Sequence, residues 1–138
     1  MGEKFRSGCS IASTLDIVGD KWSLLILRDM LLHHKMTFKE FSASAEQIAP
    51  SILSARLKWL TSYGLITKQK QTHNKKENIY LLTEKAIELA SILIDISIWG
   101  SNHLTEFNDI NHVEGLDLDR DFIISTVQER YRSLSQSL

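Results

Sequence analysis

The period of the apolar residues changes at Gly64. Before it, Pro50 and Gly64 bracket a segment in which Leu53, Leu57 and Leu60 recur at spacings of four and three, the signature of one helix face. Proline suits a first helical turn, where its missing N–H is not needed, and glycine suits the position just past the end. After Gly64, residues 65–71 and 79–83 read as strands separated by the polar run 72–78, the tip of a hairpin. Elsewhere the signals are helical: glycine and proline together make 7 of 138 residues, against an average of roughly 12%. Few turns and long helices follow, and an all-β sandwich is disfavoured.

Ser10 to Val18 carries Ile11, Leu15 and Val18 on one stripe and stops at Gly19. Asp20 is placed to cap a second helix through Trp22, Leu25, Ile26 and Met30 to about Leu32, apolar on most of its circumference and so expected at the centre of the fold. Thr37 and Glu40 match a capping box ahead of a short third helix that should bury Phe38 and Phe41. The outward face of the fourth helix holds Ser51, Ala55, Lys58 and Ser62, with Arg56 on the flank of Ile52, Trp59 and Tyr63. Thr83 is expected to cap one long helix through Glu88, Leu93, Trp99 and Phe107. Its stretch from Ile92 to Trp99 is apolar on nearly every face, which points to a subunit interface. Residues 108–118 read as an acidic, loop-like break. A last helix is expected from Asp119 to Leu134, with Phe122, Ile123, Val127 and Tyr131 on its apolar side.

The net charge of −1 conceals a segregation. Residues 1–49 balance six basic against six acidic side chains, residues 50–85 hold seven basic against two acidic, and residues 86–138 hold three against nine. Net +5 therefore falls on the fourth helix and hairpin, and net −6 on the C-terminal third. A polyanion would be held by the middle and repelled by the end.

The fold expected is mainly α with a small β-hairpin, in the order of a winged helix-turn-helix followed by long C-terminal dimerisation helices. The fourth helix would enter a major groove while the wing lies along phosphates. The candidate DNA contacts are Ala49, Pro50, Ser51, Ser54, Ala55, Arg56 and Lys58 on that helix and Lys68, Lys70, Lys75 and Lys76 on the wing. Arg56 equally suits a phosphate or a salt bridge. A protein-interaction module on the same scaffold, without DNA binding, is the alternative from another class. A further one keeps DNA binding and adds a non-covalent small-molecule effector between the dimer helices.

The longest aliphatic run, Leu24 to Leu27, is four residues, far below the roughly 20 that span a bilayer. The N-terminus lacks an apolar signal segment, so a soluble, cytoplasmic protein without membrane contact is expected. No phosphate loop, nucleophile elbow or zinc spacing is present, so neither an enzyme nor a cofactor nor a metal is expected. The adjacent His33 and His34 diverge by about 100° on a helix and suit its C-terminus better than a metal. His103 and His112 near Asp109 lack any ligand spacing.

Cys9 is the single cysteine and cannot form an intrachain disulfide. It precedes a helix, whose N-terminus favours a thiolate, and Lys4 and Arg6 are close in sequence. It could equally be an inert thiol beneath an interface.

Cys9-Ser-Ile, Leu15 to Asp29 with its Gly-Asp-Lys-Trp-Ser block, Phe38-Lys-Glu-Phe41, Ile48 to Leu57, Tyr63 to Ile66 and Tyr80 to Thr83 together resemble the HxlR-type bacterial transcription regulators, which are MarR-like. The resemblance runs from about Cys9 to Gly100. It implies a dimeric DNA-binding regulator with its chains joined through N- and C-terminal helices, and the expectation is a homodimeric repressor of a palindromic operator. It also implies a thiol at Cys9 that senses electrophiles or oxidants. Three departures stand out: Ser10 where relatives commonly have proline, Ser51 and Ala55 where they often carry longer polar side chains, and a final helix without a family counterpart. The domain reading is 1–107 for DNA binding and dimerisation, and 108–138 for an acidic linker plus a helix extending the interface.

Overall fold

The computed structural model of the chain describes residues 5–71, 73–74, 76–109 and 119–138. It divides into two compact units, Met1–Ala86 and Ile87–Leu138. The first unit contains α1 (Ser10–Val18), α2 (Ser23–His33), α3 (Phe38–Ser42), α4 (Pro50–Ser62), β1 (Ile66–Lys70) and β2 (Asn78–Leu82), and α5 (Glu84–Ile87) runs across the boundary.

Helix α1 ends where Gly19 donates its N–H to the Leu15 carbonyl at 2.8 Å. Asp20 then starts α2 from further back than expected. The helix begins at Ser23, yet the Asp20 carboxylate accepts the N–H groups of Trp22 at 3.1 Å and Ser23 at 3.0 Å and the Ser23 hydroxyl at 2.6 Å. These bonds satisfy donors that a helix start leaves unpaired. Ile26, Leu27, Met30 and Leu31 are all buried, so α2 is the central helix its composition predicts.

The capping box of α3 forms in both directions: Glu40 N–H donates to Thr37 Oγ1 at 3.2 Å, and Thr37 N–H donates to Glu40 Oε1 at 3.1 Å. Phe41 is buried, but Phe38 stays 37% exposed, against expectation. Helical side chains cover the turn N-terminal to their own Cα, and Phe38 opens the helix with no such turn behind it.

Helix α4 starts with Ala49 as N-cap and Pro50 in its first turn. Leu53, Leu57 and Leu60 form its buried ridge. Gly64 follows with φ +75°, a left-handed conformation that glycine adopts without a Cβ penalty. The hairpin is antiparallel, pairing Ile66 with Leu82 and Lys68 with Tyr80. It is tied to the helices by Tyr80 N–H donating to the Met36 carbonyl at 2.8 Å and by the Thr83 hydroxyl donating to the Gly64 carbonyl at 2.7 Å.

The single long helix expected from Thr83 to Phe107 is two helices. Helix α5 ends at Ile87, residues Glu88 and Leu89 form a turn, and α6 spans Ala90–His103. Neither turn residue is a helix breaker, so apolar periodicity runs straight through a break made by Leu89 at φ −70°, ψ −6°. Phe107 lies past the end and is 78% exposed.

In the second unit α6 packs against α7 (Arg120–Gln136), burying Ile94 with Ile123, Ile124 and Tyr131. Asp119 caps α7 by accepting Phe122 N–H at 2.8 Å. Phe122 itself points outward, and Ile124 takes the place expected of it. One residue earlier on a helix is a rotation of about 100°, enough to leave the face that Ile123 and Tyr131 share. Of the acidic break, residues 110–118 lie outside the described residues. Among the described residues no helix is long and apolar enough to cross a membrane.

Candidate nucleic-acid interface

With three leucines locked inward, α4 turns its opposite face outward. Ala49, Pro50, Ser51, Ala55 and Lys58 are exposed and Ser54 is half-buried. The side chains at the start of this helix are small, so a base edge could approach its backbone closely.

Arg56 is placed differently from its neighbours. Its Nη1 lies 3.4 Å from Asp20 Oδ1, and its guanidinium sits 5.1 Å from the centre of the Trp59 ring. Trp59 Nε1 in turn donates to the Ile17 carbonyl at 2.9 Å, and its ring packs at a tilt 4.8 Å from Tyr63, which meets Phe5 at 6.3 Å. Burial works to raise the Asp20 carboxyl pKa, but its hydrogen bonds from Ser23 and Trp22, with Arg56 beside it, hold it below the ordinary value. One flank of α4 is thereby fastened to the end of α1 and the start of α2. No local spacing relates residues 17, 20, 56 and 59, so sequence reasoning missed this hook.

A second network holds the loop that delivers α4. Arg28 donates to Glu46 through Nη1 at 2.9 Å and Nη2 at 2.8 Å, and to the buried Asp29 through Nε at 3.0 Å and Nη2 at 2.8 Å. Lys35 Nζ reaches Asp29 at 3.4 Å. The hydrogen bonds from Arg28 take the Glu46 carboxyl down to about 2, and the bond to Glu46 raises the Arg28 guanidinium.

On the wing, Lys68, Lys70 and Lys76 are exposed, while Lys75 lies outside the described residues. The tip is shaped by Asn74, whose Oδ1 accepts Lys76 N–H at 3.1 Å. Lys85, counted in the basic excess, donates instead to the Tyr63 carbonyl at 2.9 Å. With Arg56 and Lys85 engaged internally, Lys58, Lys68, Lys70 and Lys76 have no ion-pair partner among the described residues. A groove of about 280 Å³ opens between α3, α4 and the hairpin, with Leu57 and Tyr80 beneath and Lys58 and Lys68 among its walls.

Cys9 is exposed at the N-cap of α1. Its N–H donates to Ser7 Oγ at 3.2 Å and its carbonyl accepts Ser13 N–H at 2.9 Å. Arg6, one of the two cations near it in sequence, is paired with Asp16, and Lys4 lies outside the described residues. Ile11 and Leu15 of α1 are exposed, 70% and 52%. In the other unit Ile92, Ile96 and Trp99 form an exposed stripe along α6, with the His103 ring tilted against Trp99 at 4.9 Å.

His33 closes α2 and His34 follows it in a left-handed conformation. His112 lies outside the described residues. Among those described, no group of three or more His, Cys, Asp or Glu could hold a metal ion.

A family model described as HxlR-like helix-turn-helix matches residues 17–108. The HTH-type transcriptional regulator YdeP of Bacillus subtilis strain 168 is 33% identical over 98 residues, covering 70% of this chain and 74% of YdeP. The crystal structure of PA1607, assigned as a transcription factor, superposes with a TM-score of 0.70 at 32% identity, covering 83% of this chain and 82% of that one. The redox regulator HypR in its oxidized form superposes at 0.62 with 26% identity, covering 74% of this chain and all of HypR.

Proposed function

The chain belongs to the HxlR-like helix-turn-helix family, a family of transcription regulators and not of enzymes, and we propose that it binds double-stranded operator DNA as a homodimeric repressor in the cytoplasm. The observation that carries this reading is the set of exposed lysines without an ion-pair partner among the described residues on two adjoining elements, Lys58 on α4 and Lys68, Lys70 and Lys76 on the wing. Ammonium groups in this arrangement match a phosphate backbone flanking a groove, while the small side chains from Ala49 to Ala55 let α4 approach the bases. Lys75 extends the wing contact.

Arg56 belongs to the same surface in a supporting role. Held by Asp20 and Trp59, it fixes the angle at which α4 is offered. The exposed stripe of Ile92, Ile96 and Trp99 supports dimerisation through α6, since three large apolar side chains at helical spacing gain most by meeting a second copy. Residues 119–138 extend that interface, and residues 1–107 form the DNA-binding and dimerising domain.

Cys9 is the proposed sensor. Its exposure at the N-cap of α1 makes it reachable by a quinone or another small electrophile, and the likeness to a redox regulator favours this use. Selection from a random duplex library tests the whole reading. The expected product is a two-fold site with half-sites about 10 base pairs apart. Failure to enrich any sequence would overturn it.

A further inference from the structure

We propose that Gln47, in the turn that delivers α4, is a specificity-determining residue that reads an A·T pair through the major-groove edge of adenine. This rests on the DNA-binding reading, and it assigns base recognition to a side chain that lies just outside the helix.

Gln47 stands in a conformation that its side chain disfavours. Its φ is +58°, in the left-handed region where a Cβ crowds the following carbonyl oxygen. The other non-glycine residue described in that region, His34, closes α2, a place where the conformation is ordinary. Gln47 closes no helix. It ends a turn in which its N–H donates to the Ser44 carbonyl at 3.1 Å, and it stands two residues before Ala49, the N-cap of α4. Its neighbours hold it there: Glu46 is gripped by Nη1 and Nη2 of Arg28 at 2.9 and 2.8 Å, and Ile48 is buried. A costly conformation persists where its surroundings over-determine it. Glycine would fill the position without the Cβ penalty.

What glutamine adds to the turn is an amide that the chain itself leaves unused. Gln47 is exposed, and its side chain has no hydrogen-bond partner among the described residues. The end of α4 beside it is short of such groups. Of residues 43–55, Gln47 alone carries a donor and an acceptor on a long side chain, since Glu46 is engaged and the rest are alanine, serine, isoleucine, leucine and proline. Arg56 is held by Asp20 and Trp59, and Lys58 offers a donor without an acceptor. A helix-turn-helix brings the start of its reading helix to the base edges, where the small side chains from Ala49 to Ala55 leave room for a longer neighbour. A primary amide placed there matches adenine: its NH2 donates to N7 while its carbonyl accepts N6–H. Guanine shows two acceptors on that edge and would leave the amide carbonyl unpaired.

The test is selection from a random duplex library, run on the full-length parent, on Gln47→Gly and on Gln47→Glu, with urea unfolding of all three. The parent should enrich sites with a fixed A·T pair in each half-site. Changing that pair to G·C should weaken the parent about tenfold. Replacing its adenine by 7-deazaadenine, which lacks the N7 acceptor, should weaken the parent too. Gln47→Gly should be indifferent to both changes, keep the rest of the site and retain random duplex like the parent. It should also unfold at a higher urea concentration, because relief at the left-handed position outweighs the freedom that glycine adds to the unfolded chain. Gln47→Glu keeps the length and the backbone strain but lacks the donor, so it should lose the adenine preference without that gain in stability. Retention of the preference by either variant would place the readout elsewhere and overturn the proposal. So would a loss in Gln47→Gly that is equal on operator and random duplex, which marks a phosphate contact, or a Gln47→Gly protein less stable than the parent, which marks a side chain that holds the turn. A parent that enriches no sequence would overturn the DNA-binding reading and this one with it.

Discussion

Cys9 occupies the N-cap of α1 without using its side chain as a cap, so the thiol is spare at an exposed helix start. Its replacement should therefore cost almost no stability, within the roughly 0.5 kcal/mol typical of surface positions. Cys9→Ser should bind operator like the parent but keep its affinity after treatment with a quinone or diamide, which should release the parent. Equal release of both proteins in a mobility-shift assay would remove Cys9 from the mechanism. The placement of Cys9 was legible because Gly19 and the stripe of Ile11, Leu15 and Val18 are local signals. The company it keeps was not. Sequence proximity put Arg6 beside the thiol, while in the fold its guanidinium is taken by Asp16 one turn and more along α1. The same holds for Arg56, whose flank position allowed a phosphate or a salt bridge and whose partner, Asp20, is set by tertiary packing alone.

Between elements, the joint that matters most for α4 is the clamp from Arg28 of α2 to Glu46 in the loop before it. The folded-state Glu46 carboxyl lies at about 2 against an ordinary 4.5. A depressed carboxyl pKa adds stability that is fully present above the ordinary value and is lost as pH falls through the folded one. Glu46→Gln should therefore lower stability by about 1 kcal/mol at neutral pH, a figure reduced for solvent screening at a partly exposed pair. The gap between parent and variant should close as pH drops from 4.5 toward about 2. Urea unfolding across that window checks it, and a gap independent of pH would contradict the clamp. Elements announced by local chemistry appear where they were expected: the capping box of α3, proline and glycine around α4, and the two strands on either side of a polar run. The break between α5 and α6 has no such signal, because Glu88 and Leu89 are ordinary helix formers. Phe38 was misassigned because periodicity names a face, but the end of a helix decides whether anything covers it, and Phe122 because its position lies off the face that Ile123 and Tyr131 share.

Across the whole molecule, the division into units follows the division of charge. Met1–Ala86 holds thirteen basic and eight acidic side chains, net +5, and Ile87–Leu138 holds three and nine, net −6. The net charge of −1 is an average over two units of opposite purpose: one suited to a polyanion, the other carrying the exposed α6 stripe. Ile96→Glu with Trp99→Glu changes that stripe without touching the core. The parent should sediment as a dimer and the variant as a monomer of unchanged helix content. A variant that remains dimeric would move the interface elsewhere. The central claim, that Lys58, Lys68, Lys70 and Lys76 form a phosphate-binding surface, is tested most directly by the salt dependence of binding to random duplex DNA. The logarithm of the parent's affinity should fall linearly with the logarithm of salt concentration, and Lys70→Ala with Lys76→Ala should reduce the slope by about 0.9 for each lost contact. Identical slopes for parent and variant, or no retention of the parent at low salt, would contradict it.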